Sequence, residues 1–244
     1  MSVLREYLLL VRWNAMRAKA FLAFAGVIQA MFSLGIVLGY PLLFPSMDRM
    51  TVLYIATAAP AITLITMGLV AVPQQVAQAR TEGTFDYMRT LPIPRAIYLL
   101  SDLTVQLGVV LPGVAFGVLI ATWRFALPIE VSPWIVPSVV LVVLTATSIG
   151  YAIASILPPL MANLMSQVLV VLVFMFSPLQ FPADRLPDWA AAMHRILPIQ
   201  AMGEVMRGSL APGTFAIPGG AFLLLGAWCA VCFGIAWRVM ARRG

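Results

Sequence analysis

The chain has 244 residues, of which 62% are hydrophobic and only 10% charged, and its mean hydropathy is +0.98. A soluble domain carries roughly 25% charged residues to cover its surface, so an ordinary cytosolic enzyme and a disordered chain are both excluded. The net charge of +6 comes from scarce acids, 9 against 15 Lys+Arg, and not from a dense basic face, so no nucleic acid is expected as a partner. An all-α polytopic membrane protein remains. At about 20 residues per span, the chain has room for six spans and little else, so one transmembrane domain over residues 1–244 is expected.

Residues 3–19 form an amphipathic helix by pattern. Leu4, Leu8, Val11, Ala15 and Ala18 share one face, and Arg5, Arg12 and Lys19 form a stripe beside it. This suits a helix lying in the membrane interface with its basic residues toward lipid headgroups; the polar start of the first span is the other reading. A cleavable signal is not expected, because the apolar run behind these charges is too long.

The apolar runs predict spans at about 20–44, 51–76, 96–123, 134–157, 160–180 and 215–238. Pro158-Pro159 break the pattern between the fourth and fifth. Pro60, Pro73 and Pro112 fall inside spans and predict kinks whose freed carbonyls neighbours satisfy. Trp123, Trp134, Trp189 and Trp237 fall near predicted span ends, as interfacial anchors should.

Six spans put both termini on one side. A cytoplasmic placement puts Arg5, Arg12, Arg17, Lys19, Arg80, Arg89, Arg95, Arg238, Arg242 and Arg243 inside. Arg49, Arg124, Arg185, Arg195 and Arg207 are then outside. The positive-inside rule selects that arrangement in the cytoplasmic membrane.

The inward connection, 77–95, is the most polar. Thr81 or Thr84 could cap a short helix. Glu82 or Asp86 would then sit near its positive end and Arg89 near its negative end, and Pro92 would stop it. Phe85, Met88 and Leu91 would form an apolar ridge. Such a helix could fill a groove on a cytoplasmic partner, or the ridge could lie on lipid or pack under the bundle.

Here the sequence resembles a family. Arg80 to Arg95 is similar to the loop between spans two and three of type-2 ABC exporter permeases, matching at Gly83, Thr84, Phe85, Asp86, Met88, Pro92 and Arg95. The family's leading acid-plus-basic pair is partly kept, as Arg80 and Glu82. Phe181-Pro182 followed by Leu186-Pro187-Asp188-Trp189 is similar to the family's exterior end of span five. Ile196-Leu197-Pro198 followed by Met206-Arg207-Gly208 is similar to its Asn-Pro and aliphatic-Arg-Gly stretch, with Leu197 where Asn is frequent.

The resemblance implies a six-helix permease of the drug- or antibiotic-exporter kind with an interfacial first helix. It implies re-entrant half-helices in the exterior leaflet between spans five and six. It also implies a coupling helix that docks an ATPase, which assigns Glu82, Gly83, Thr84, Phe85, Asp86, Met88, Arg89, Leu91 and Pro92 to that surface. The implied partners are two cytoplasmic ABC ATPase subunits, a second permease copy or sister permease with contact around spans one and five, and membrane lipid. ATP and Mg would belong to the ATPase. The chain carries no Gly-x-x-x-x-Gly-Lys-Ser/Thr sequence and its single lysine is Lys19, so no cofactor or catalytic residue is expected in this chain.

The expected function is ATP-driven export of an amphipathic substrate. An ion- or proton-coupled secondary carrier acting without an ATPase is the alternative. Such carriers usually bury several ionisable groups, and Asp102, near the start of span three, is the candidate membrane polar site. It could serve as a proton relay or substrate contact, or lie at headgroup level near Arg95, or face the bundle interior. Cys229 and Cys232 share a helix face but lack further ligands, so no metal site is expected. His194 has no Gly-x-Ser-x-Gly elbow to serve.

Overall fold

A computed structural model describes residues 4–16, 48–83, 95–125 and 130–242, with positions 27, 31, 34, 35 and 39. Within these residues the secondary structure is helical. We label the helices α1 (residues 4–16), α2 (Arg49–Thr81), α3 (Arg95–Phe125), α4 (Ile135–Ile156), α5 (Pro159–Phe176), α6 (Asp188–Ile196), α7 (Pro198–Leu210) and α8 (Ala221–Arg242). Five of them, α2, α3, α4, α5 and α8, are long and apolar enough to cross a membrane. The predicted first span, 20–44, lies largely outside the described residues, as do Ala18 and Lys19.

α2 is the central helix. Ile55 to Ile65 are buried in unbroken series, so α2 is apolar on every side, as a helix surrounded by other helices must be. Alanines at 56, 58, 59 and 61 let neighbours approach closely. A π-helical turn at Met67–Ala71 interrupts α2. Pro73 explains its place: it has no N–H for the Leu69 carbonyl and its ring crowds that oxygen, so the helix widens just before it.

At this turn α2 and α4 touch through backbone. A Cβ on Gly68 would lie 2.4 Å from Ala146 Cβ, and one on Gly150 would lie 2.1 Å from the Gly68 carbonyl oxygen. Glycine is required at both positions by space.

The other long helices close around this pair. α8 lies along α4, and Thr145 donates to the Leu225 carbonyl of α8 at 3.2 Å. α5 keeps only Ala162, Ser166 and Val173 buried, leaving Leu164, Val168, Leu172 and Met175 exposed. The α4–α5 break falls at the predicted prolines. Leu157 is extended, with φ −89° and ψ 152°, as a residue before proline should be.

Two span ends differ from expectation. α5 stops at Phe176 and not near 180, because Ser177 precedes Pro178 and is extended. The last span starts at Ala221 and not near 215, after Pro218, Gly219 and Gly220.

In α1 the buried residues are Leu10 and Asn14, while Leu4, Leu8, Arg5 and Arg12 are exposed. The apolar stripe with its basic border faces outward and the polar Asn14 faces the bundle.

Between α5 and α8 stand two short helices. α6 exposes Trp189, Met193 and Ile196, and Trp228 of α8 donates to the Ile196 carbonyl at 2.9 Å. α7 begins with Pro198 at its first turn, a favoured place for proline. It is buried nearly all round, including Met202, Val205, Met206 and Leu210. It packs among α2, α4 and α8 as part of the core.

Candidate functional site

The end of the bundle that carries the 82–94 segment is built on the last turns of α2. The helix continues past the expected boundary near 76 because its polar side chains bond along it. The Thr81 hydroxyl donates to the Ala77 carbonyl at 2.7 Å, so Thr81 closes this helix and does not cap a new one. The Gln78 amide donates to the Glu82 carboxylate at 2.7 Å, and the Glu82 N–H donates to the Gln78 carbonyl at 2.9 Å. Glu82 therefore sits at the C-terminal end of α2, the negative end of its dipole. Gly83 follows with φ +71°, the left-handed conformation that ends helices and favours glycine. Thr84, Phe85, Asp86, Met88, Arg89, Leu91 and Pro92 lie outside the described residues.

Arg80, one turn earlier, reaches across to the end of α4. Its guanidinium donates to the Leu157 carbonyl at 3.1 Å and to the Ser155 carbonyl at 3.4 Å. Beside it a cleft of about 500 Å³ lies between α2 and the start of α5, lined by Gln74, Ala77, Gln78, Thr81, Leu160, Asn163, Leu164 and Gln167. The lining offers amide and hydroxyl groups and no formal charge. The Asn163 Oδ1 is shielded yet accepts no hydrogen bond among the described residues.

Asp102 faces the bundle interior. The Tyr151 hydroxyl of α4 donates to its carboxylate. Neighbouring polar groups extend the seam: Asn14 of α1 donates to Ser101 at 3.1 Å, and Gln106 donates to Gln75 of α2 at 3.1 Å. Asp102 is thus held between α3 and α4, away from the cleft lining.

Arg207, which the sequence reading only counted among the basic residues of the exterior side, is a functional-looking residue that counting did not single out. It is 4% exposed. Its guanidinium lies 3.5 Å from the Tyr54 ring centroid, with Phe215 at 5.6 Å, and it donates to the Leu179 carbonyl at 2.9 Å. Desolvated cation–π contact of this kind is worth about 2 kcal/mol. Gly203 makes room: a Cβ there would lie 2.5 Å from Leu179 Cδ2. Arg207 so fastens α7 to α2 and to the segment after α5. The Met206-Arg207-Gly208 stretch was the sequence signal.

Cys229 and Cys232 are free thiols, the first half-buried and the second buried. Among the described residues no group of three His, Cys, Asp or Glu side chains is placed to hold a metal. His194 of α6 is partly buried, and that burial holds its pKa below the usual 6.5.

A search of curated proteins finds no match to the chain. A family model for the ABC-2 type transporter matches residues 7–211, from the first helix through α7 to the residue after it. That span takes in the Gly83-terminated α2, the α4–α5 turn and the buried α7 together. The chain therefore belongs to the ABC-2 type transporter family and is a multi-pass membrane transport subunit of the kind that works with an ATPase partner.

Proposed function

We propose that the chain is the permease subunit of an ATP-driven exporter that moves an amphipathic, drug-, antibiotic- or lipid-like substrate across the cytoplasmic membrane. Both termini are cytoplasmic. Two cytoplasmic ABC ATPase subunits bind ATP and Mg, and a second permease copy or sister permease completes the channel. The α6–α7 pair forms the re-entrant exterior element.

The observation that carries this reading is the continuity of α2. The central helix of the bundle runs to Thr81, and Glu82 and Gly83 lead the chain on into the 84–92 segment. The uncharged cleft at the same end suits the polar part of an amphipathic molecule, with Leu160 and Leu164 beside it for the apolar part.

Alternating access follows. Nucleotide closure of the ATPase pair displaces the coupling segments, the spans tilt outward, and hydrolysis resets them. Reconstituted complexes carrying Gly83→Pro or Phe85→Asp test this. Proline cannot adopt φ +71°, and an aspartate on the ridge opposes burial in a groove. Both variants lose substrate-stimulated ATPase activity. Wild-type coupling in both overturns the docking role, and transport driven by a proton gradient without ATP would favour the Asp102-centred carrier.

A further inference from the structure

We infer that the outward face of α1 is a docking surface for an anionic lipid headgroup layer, and that two hydrogen bonds to α3 hold it at that level. The inference goes beyond the exporter reading and needs no ATPase. It starts from the helix itself. At about 100° per residue, the exposed side chains of α1 fall on one arc. Leu4 and Leu8 form one edge of the arc, Leu9 and Met16 the other, and Arg5 and Arg12 lie between them. Glu6 is half-buried and lies about 110° round the helix from the arginines. The arc is therefore cationic along its middle and apolar at both edges.

The opposite face is tied to the bundle. The Tyr7 hydroxyl donates to Thr104, whose own proton goes to the Leu100 carbonyl at 2.9 Å. Buried Asn14 donates to Ser101 at 3.1 Å. The stretch of α3 apolar enough to cross a membrane begins at Leu100. Both partners thus sit where that span leaves the headgroups for the hydrocarbon. Tyr7 and Asn14 are about 10 Å apart along α1, whereas Ser101 and Thr104 are about 4.5 Å apart along α3. The two spacings differ because α1 runs across α3 and not beside it.

A helix lying across a span at that level turns its outer face to the headgroup region. Its leucines and methionine reach the acyl boundary. The arginine stems follow them while the guanidinium groups stay with the phosphates. With no carboxylate on the arc, the complementary surface is negative above an apolar layer, which is an anionic leaflet.

The test uses the full permease in nanodiscs of phosphatidylcholine, or of phosphatidylcholine and phosphatidylglycerol in equal parts. Hydrogen exchange of the α1 amides is read where it reports the local opening equilibrium. A basic side chain near an anionic surface gains roughly fivefold. The mixed lipid therefore slows exchange over residues 4–16 by about 25-fold for the pair, and leaves α4 unchanged. Arg5→Gln or Arg12→Gln alone keeps about fivefold, and the double variant keeps none. Arg5→Lys with Arg12→Lys keeps the slowing, and added salt weakens it.

Equal exchange of wild-type α1 in the two lipids overturns the inference, and that comparison decides alone should a variant fail to fold. Slowing that persists in the double-glutamine variant also overturns it. Protection that appears only with added ATPase, or only as the permease concentration rises, overturns it in favour of a protein on this face.

Discussion

Gly150→Ala is the sharpest perturbation of the α2–α4 contact. The added Cβ would sit 2.1 Å from the Gly68 carbonyl oxygen and 3.1 Å from Pro73 Cδ. A carbon–oxygen approach needs about 3.3 Å, so α4 would have to retreat by about 1 Å. The obstacle is main chain in a π-turn, pinned by Pro73, and no side-chain rotation relieves it. Overpacking of a rigid core costs about 1–3 kcal/mol, and a backbone obstacle belongs at the upper end, near 3 kcal/mol. For a chain of this size each kcal/mol moves Tm by about 2–4 °C, which gives a fall of about 6–12 °C. The assay is thermal unfolding in one detergent, beside Gly226→Ala on α8. That site has nothing within 4 Å, and there alanine gains about 0.5–1 kcal/mol of helix propensity. Gly150→Ala melting level with wild type would refute the close α2–α4 approach.

Two other substitutions probe the opposite end of the bundle. Arg207→Ala removes the stack on Tyr54 and leaves the Leu179 carbonyl without its donor; it lowers stability by about 2–4 kcal/mol, and Arg207→Lys loses less, both read as Tm. His194 has a folded pKa depressed below 6.5 by burial, so the unfolded chain binds the proton more tightly. The His194 contribution is therefore present above pH 6.5 and declines as acidification carries the pH below 6.5 toward the folded pKa. His194→Gln removes that dependence, and Tm profiles from pH 7.5 to 5 show the difference.

Five of the six expected spans were legible because a bilayer imposes length and apolarity on any helix that crosses it. The Pro158-Pro159 break was legible because proline forbids helix continuation in one way only. The end of α2 was not. Counting apolar residues stops at 76, yet Gln78, Thr81 and Glu82 extend the helix by bonding along it. Gly83 marks the true end, and its motif position was visible in the sequence while its left-handed conformation was not. Arg207 was illegible for a different reason. Hydropathy scores an arginine as exterior, whereas two aromatic faces and one carbonyl, from distant parts of the chain, make its burial tolerable. Partnerships across helices leave no trace in a local window.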